Sequence, residues 1–209
     1  MNKSICIEPH YLGSIEYMGV VSKSEIIQLE VHQHFNKQTY KNRCEVLSPQ
    51  GCKSLTVPVH YGNRTPLKEV KIDYAQSWQK VHLGMMRAAY GKSAFFDFYY
   101  PELEKIISSK PVFLLELTIS AMEWLLFCLS IKKEIKQTTH YQAELSSDKL
   151  DIRETILPKK AFNERHFYQE VDYFQNFGTN FVPNLSVLDC LMNTGPECAQ
   201  IVQESVNLN

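Results

Sequence analysis

A turn bearing a histidine is the first segment of this chain with residues suited to chemistry. The apolar run Ser4–Ile7 predicts a strand, the turn after it holds His10 and Gly13, and helical spacing follows. Open α/β sheets bind their ligands at the carboxyl ends of strands. An imidazole titrates near neutral pH, so His10 is a catalytic candidate as a general acid or base. The alternative is a turn histidine bonded to backbone.

Three cations lie within seven residues downstream of this turn: Lys37, Lys41 and Arg43. Guanidinium and ammonium groups bind phosphate or carboxylate. If Tyr40–Leu47 is a strand, Lys41 and Arg43 share one face and Asn42 lies on the other. We expect this segment to bind substrate, and the alternative is a solvated strand face.

Two other histidine patterns invite a chemical interpretation. His82 is the second catalytic candidate, although it shares a helix face with Trp78 and Met85, which also suits a core histidine. His32 and His34 alternate along a predicted strand, but no third ligand follows at matching spacing, so we expect no metal site.

Familiar catalytic signatures are absent from the sequence. It contains no G-x-S-x-G, Walker A, H-E-x-x-H or G-x-G-x-x-G motif. The turn from His10 to Gly13 superficially resembles the H-x-G-H turn of cytidylyltransferase-type enzymes, in which histidines stabilise charge on phosphates. Here two residues separate His10 from Gly13, and Ser14 stands where the second histidine would be.

The first third of the chain is predicted to be rich in strands. The sequence favours a helix over 15–22, a buried strand over 25–32 and another short strand over 67–72. The segments 40–47 and 53–61 flank Ser48-Pro-Gln-Gly51, which is a good turn sequence, so they predict a hairpin.

The middle and end of the chain are predicted to be mainly helical. Apolar spacing predicts an amphipathic helix over 77–90, and prolines suggest helix starts at Pro101 and Pro111. The helix over 112–131 is long enough to span a membrane, but Glu116 and Glu123 share one face, as in a mostly buried soluble helix.

The last quarter begins with a segment rich in aromatic residues, 162–181. We expect Asn184 to cap a helix over 185–192 that Gly195 ends, and a last helix to start at Pro196.

Composition describes an ordinary globular protein. The 209 residues include 44% hydrophobic and 22% charged residues, with a net charge of −1. Such a balance gives no electrostatic signature for nucleic acid or an anionic membrane. The six cysteines lack framework spacing, and the first residues lack a secretory apolar core, so free thiols and a cytoplasmic location are expected. We predict one domain over 1–209, of α/β or α+β class.

Several segments together resemble the WbqC-like protein family. They include Glu8-Pro-His-Tyr-Leu-Gly-Ser-Ile-Glu-Tyr17, Lys37-Gln-Thr-Tyr-Lys-Asn-Arg43 and Asn184-Leu-Ser-Val-Leu-Asp-Cys-Leu-Met-Asn-Thr-Gly-Pro196. This bacterial family occurs in gene clusters for O-antigen and related surface polysaccharides, and transfer of a glycyl or acyl group onto an amino sugar has been suggested for some members. The resemblance implies a cytoplasmic transferase acting on a nucleotide-activated sugar.

Three hypotheses follow from the residues and the resemblance. The first is that transferase, with His10 or His82 as base. Its predicted substrate-binding residues are Tyr11, Tyr17, Lys37, Lys41, Asn42 and Arg43. The second is a nucleotidyltransferase that uses the first strand-turn-helix. The third is a non-enzymatic binding or assembly protein that uses the aromatic segment. No cofactor or oligomeric state follows from the sequence.

Overall fold

A four-stranded parallel β-sheet forms the centre of the computed structural model, which describes residues 4–208. Within that range, the strands are β1 Ser4–Ile7, β2 Ile26–Leu29, β3 Arg43–Ser48, β4 Gly51–Thr56, β5 Val59–His60, β6 Lys71–Ile72, β7 Glu134–Gln137 and β8 Lys149–Asp151. The α-helices are α1 Ile15–Lys23, α2 Trp78–Tyr90, α3 Phe96–Ser108, α4 Leu114–Cys128, α5 Val187–Thr194 and α6 Cys198–Glu204. The predicted α/β class is confirmed.

The strand order of the central sheet is β7-β2-β1-β8, and all three pairings are parallel. In β1, Ile5 pairs with Ile27 on one side and with Leu150 on the other. A strand between two neighbours is buried on both faces, which explains its apolar sequence. The edge strands β7 and β8, which sequence patterns did not predict, are short and partly exposed.

A separate hairpin joins β3 and β4 through the predicted turn, in which Gly51 has a φ of 93°. It is shorter than predicted, because β4 ends before Pro58 and the chain then pairs β5 with β6. Residues 40–42 precede β3, so the strand face predicted to be shared by Lys41 and Arg43 is wrong.

Two helices start at positions other than the prolines that suggested their starts. α3 begins at Phe96 and includes Pro101, whose missing N–H costs one backbone bond on an exposed part of the helix. α4 begins at Leu114 rather than Pro111, because Phe113 is extended and its N–H donates to the Glu116 carboxylate at 3.0 Å.

The remaining helix predictions hold in outline. α4 exposes a narrow stripe that includes Glu116 and Glu123, as predicted, and no helix among residues 4–208 is long and apolar enough to cross a membrane. α5 ends at Gly195, but its N-cap is Ser186 rather than Asn184. A 3-10 turn over Gly195–Glu197 precedes α6, and another over Leu67–Glu69 replaces most of the strand expected there.

A buried ion pair fixes the C-terminal third against α1. Arg165 binds the Glu16 carboxylate through two nitrogens, and Asn184 Nδ2 donates to the same carboxylate at 2.8 Å. The backbone N–H of Glu16 donates back to Asn184 Oδ1 at 3.1 Å. Asn184 has a φ of 55° and bonds to Glu16. It does not have the helix-capping role predicted for it, which Ser186 takes. One hydrophobic core runs from β1 through the helices to Val206.

Candidate active site at the carboxyl edge of the sheet

A polar cleft of about 480 Å³ opens at the carboxyl edge of the parallel sheet. Its walls come from the ends of three strands and the segments that follow them. The lining residues are His32, Gln33, His34 and Asn36 after β2, Tyr141 and Ala143 after β7, and Asp151, Arg153 and Glu154 at the end of β8 and after it. The chain adds β2 on one side of β1 and later places β8 on the other side. Such a reversal of strand order is where open α/β sheets bind ligands. We call this the carboxyl-edge cleft.

Glu154 projects from the β8 side of the cleft on an unusual backbone. Its φ is 53°, in the left-handed region that side chains other than glycine rarely adopt. Its Oε1 accepts hydrogen bonds from Gln33 Nε2 at 2.6 Å and from Asn36 Nδ2 at 3.1 Å. Both donors belong to the segment after β2, so Glu154 joins the two sides of the cleft.

The Glu154 backbone is held from below by the residue that follows β1. Its N–H lies 3.0 Å and 3.2 Å from the two carboxylate oxygens of Glu8, which is 1% exposed. Lys41 Nζ lies 3.8 Å from Glu8 Oε1 and is also buried. Burial raises the pKa of Glu8, while the Lys41 charge and the backbone hydrogen bonds oppose that rise. The predicted substrate residue Lys41 therefore lies beneath the cleft rather than in its wall.

Arg153 forms the floor of the cleft and ties its loops together. Its guanidinium binds both oxygens of Asp151, at 2.9 Å and 2.6 Å, and donates to the Gln142 carbonyl at 2.6 Å. It also lies 5.3 Å from the centre of the Tyr141 ring. These bonds occupy the guanidinium and raise its pKa, chiefly through the hydrogen bonds to Asp151. Arg153 therefore acts as a positioning group for the Tyr141–Ala143 loop.

A fully buried carboxylate, Glu30, sits behind Arg153. Its Oε1 accepts bonds from the backbone N–H groups of His32 and Gln33 and from the Thr138 hydroxyl, at 2.7 Å, 3.2 Å and 3.0 Å. Its Oε2 lies 3.5 Å from Arg153 Nη1. Glu30 thus fixes the start of the His32–Asn36 segment to the loop after β7.

His32 and His34 both line the cleft, although the sequence raised them only as weak metal ligands. His32 Nε2 is 3.0 Å from the Thr138 carbonyl, while His34 is exposed. In the part of the chain that the structure describes, no group of three or more His, Cys, Asp or Glu is arranged to hold a metal ion.

His10 lies in the core next to Lys41. It is 3% exposed, and its ring stacks on Tyr17 with centroids 4.2 Å apart. Burial, helped by the Lys41 charge, lowers the pKa of His10 to about 3. Its imidazole is therefore neutral at physiological pH. Tyr17, also predicted to bind substrate, donates its hydroxyl to the Glu8 carbonyl at 3.2 Å.

A second buried group joins two other predicted residues, Tyr11 and His82. The Tyr11 hydroxyl and His82 Nδ1 are 3.0 Å apart, and His82 Nε2 lies 3.2 Å from the Thr56 carbonyl. Burial lowers the pKa of His82 to about 4. Asn42 donates to the Val57 carbonyl at 2.9 Å on the same hairpin. None of these side chains lines the carboxyl-edge cleft.

Lys37 and Arg43 complete the predicted set of substrate-binding residues. Lys37 is exposed and directly follows Asn36 of the cleft wall. Arg43 is the first residue of β3 and is half-buried. The structure thus groups His10, Tyr17 and Lys41 beneath the cleft, groups Tyr11 with His82 elsewhere, and places Lys37 beside the cleft.

Other cavities of similar size occur among the described residues, including one of about 430 Å³ beside α6. One of about 600 Å³ lies between α2 and α3, and another of about 490 Å³ lies between the aromatic segment and helices α5 and α6. None of these cavities lies at the ends of the parallel strands. The carboxyl-edge cleft combines strand-end loops with the buried charges Glu8, Glu30 and Arg153 behind them, so we place the candidate site there.

Sequence reasoning missed the two side chains that organise the cleft, Arg153 and Glu154. The signal available was the charged run Asp151-Ile-Arg-Glu154. Because β8 was not predicted from the sequence, nothing indicated that this run lies at the carboxyl edge of the sheet.

Comparison with known proteins adds the class of the molecule. A parallel sheet with a polar cleft at its carboxyl edge defines the molecule as an α/β protein, a class in which small ligands commonly bind at that edge. The model of the WbqC-like protein family matches residues 8–165 and 154–201, and the chain belongs to that family. Among curated proteins and solved structures, nothing matches.

Proposed function

We propose that this protein is a transferase that moves an acyl or aminoacyl group onto the amino group of a nucleotide-activated sugar. The observation that carries the proposal is the carboxyl-edge cleft itself. Its wall offers a carboxylate, imidazoles, amides and a tyrosine ring, from Glu154, His34, Asn36 and Tyr141. This mixture of donors and acceptors beside an aromatic ring suits a sugar bearing hydroxyl and amino groups.

A cation beside the cleft offers a positive charge for the diphosphate of a nucleotide-activated sugar. The exposed ammonium of Lys37 follows Asn36 directly, at a place where it can meet a diphosphate. Membership of the WbqC-like family supports a role in bacterial surface polysaccharide (O-antigen) synthesis, which uses nucleotide-activated sugars in the cytoplasm. His10 and His82, the bases predicted from the sequence, do not belong to the cleft wall.

A thermal-shift titration tests this function. UDP- and dTDP-linked amino sugars are expected to raise the melting temperature, because a ligand that binds only the native state stabilises it. Nucleoside triphosphates form the comparison arm, and a shift with them alone would support nucleotidyl transfer instead.

Two variants locate the binding site. His34→Ala removes an exposed ring from the cleft wall and is expected to weaken sugar-nucleotide binding about tenfold, or about 1.4 kcal/mol. Lys80→Ala, in the groove between α2 and α3, is the matched control and is expected to bind normally. Equal weakening in both variants, or in neither, would count against the cleft.

A binding or assembly role is the second candidate function, because one observation favours it. The rings of the aromatic segment are only partly covered, and Phe174 is 71% exposed. Tyr173 and Gln175 fasten this segment to Asp189 through bonds of 2.9 Å and 3.2 Å. Loss of a co-purifying partner on Phe174→Ser, with sugar-nucleotide binding unchanged, would establish this role.

A further inference from the structure

We propose that Glu154 is the general base of the transfer reaction, and that the buried Glu8–Lys41 pair is the device that positions it. This inference rests on the proposed function and deepens it, because it names a role for the cleft's own carboxylate. Three features of the cleft support this role: the backbone conformation of Glu154, the group that holds this backbone, and the free oxygen of the Glu154 carboxylate.

The backbone of Glu154 is held in a conformation that its side chain disfavours. At a φ of 53°, Cβ crowds the following carbonyl, and glycine is the residue that avoids this strain. Strained residues persist where the surrounding structure enforces them, and they concentrate at functional sites. Six other non-glycine residues among the described ones share such a φ, so it is the combination with its place in the cleft wall, bonded to Gln33 and Asn36, that points to a use for the Glu154 carboxylate.

The enforcing group is the carboxylate of Glu8. Both of its oxygens lie within hydrogen-bond distance of the Glu154 N–H, at 3.0 Å and 3.2 Å. A buried carboxylate requires a compensating charge, which Lys41 supplies from 3.8 Å. Lys41 Nζ has no hydrogen-bond partner among residues 4–208, so its contribution is the charge alone. Lys160 Nζ donates to the Glu154 carbonyl at 2.8 Å, and so both peptide groups of this residue are fixed.

The Glu154 carboxylate is oriented while one oxygen remains available. Gln33 and Asn36 both donate to Oε1, and no described residue donates to Oε2. Two donors on one oxygen fix the plane of the carboxylate. The residue is exposed in the cleft, so Oε2 is the atom that can meet a substrate proton.

The chemistry assigned to Oε2 is proton transfer during amide formation. The sugar amine attacks the carbonyl carbon of an acyl or aminoacyl thioester, forming a C–N bond. As the tetrahedral intermediate collapses, the C–S bond breaks and the electron pair leaves with sulfur. Glu154 accepts the N–H proton from the attacking amine and returns it to the departing thiolate, so the residue is regenerated.

The test measures binding and transfer separately in four proteins. Wild type, Glu154→Gln, Lys41→Met and the control Glu164→Gln, which changes an exposed carboxylate outside the cleft, are first checked for cooperative thermal unfolding. Binding is titrated with UDP-glucosamine and a dTDP-linked 4-amino sugar. Transfer from acetyl and glycyl thioesters is followed by mass spectrometry of the sugar nucleotide.

We expect Glu154→Gln to bind the sugar nucleotide within about threefold of wild type and to transfer about 10²- to 10⁴-fold more slowly. Glu154→Asp is expected to restore part of the rate relative to Glu154→Gln, because it keeps a carboxylate at the same position. Lys41→Met, if folded, lowers kcat more than it raises KM. Glu164→Gln behaves as wild type.

Two negative outcomes are distinguishable. A Glu154→Gln variant that binds and retains more than a tenth of the wild-type rate would overturn the assignment of the base and leave the proposed function standing. A wild-type protein that binds none of the amino-sugar nucleotides would refute the proposed function and this role with it.

Discussion

Replacing His10 with phenylalanine tests the burial of charge beneath the cleft. The imidazole is buried against Tyr17, and its Nδ1 has no hydrogen-bond partner among the described residues. Phenylalanine preserves the stacked ring but cannot take up a proton. His10→Phe is therefore expected to change how the free energy of unfolding depends on pH. A pH-independent change in that free energy caused by the new ring does not affect this comparison.

The direction and size of the effect follow from proton linkage. His10 has a folded-state pKa of about 3, below its ordinary value of 6.5, so the unfolded chain binds more protons between these values. Stability from the neutral ring is complete above pH 6.5 and is lost as the pH falls toward 3. At pH 5 the loss is about 2 kcal/mol, and at pH 7.5 it is close to zero.

Urea unfolding at pH 7.5 and pH 5.0 provides the measurement. The difference between wild type and His10→Phe isolates His10 from His82, whose pKa burial lowers to about 4, and from Asp189, whose pKa burial raises to about 6. We expect wild type to lose about 2 kcal/mol more than the variant on acidification. An equal loss in both proteins would show that His10 takes up its proton without unfolding, and would refute the reasoning.

Three further variants test the packing that supports the site. Arg165→Met leaves the Glu16 carboxylate buried without its cation and should cost about 3–5 kcal/mol in urea unfolding; a loss below 1 kcal/mol would contradict this. Gly84→Ala, at an exposed α2 position with no atom within 4 Å of the added Cβ, should stabilise the protein by about 0.5–1 kcal/mol, seen as a higher melting temperature. Gly195→Ala should lower it instead, since the added Cβ would lie 2.4 Å from the Phe95 ring at a φ of 60°; equal melting temperatures for the two variants would refute the contrast.

The elements that the sequence predicted best are those buried on a continuous face. Ile5, Cys6 and Ile7 of β1 are all buried, and α2 and α5 show clear helical periodicity. The edge strands gave no such signal. β7 contains one apolar residue, Ile135, and β8 contains one, Leu150, which fits the partial exposure of both strands.

The sequence predicted a ligand site at the carboxyl edge of the sheet, where the structure has a cleft, but it did not predict the residues that line this cleft. A strand that ends in a turn before a helix indicated the carboxyl edge of the sheet, where the cleft lies. The wall, however, depends on residues after β8, which no local pattern connects with residues after β2. Glu8 and Lys41 illustrate the same limit, since their pairing across 33 positions of sequence arises only from the packing of two turns.

Hydrogen exchange with and without the sugar nucleotide tests the central claim most directly. The protein is saturated with whichever amino-sugar nucleotide gives the largest thermal shift, and protection is mapped along the chain. We predict that protection concentrates in residues 32–36 and 151–154. Protection confined to the groove between α2 and α3, or to residues 171–174, would contradict the assignment of the carboxyl-edge cleft as the substrate site.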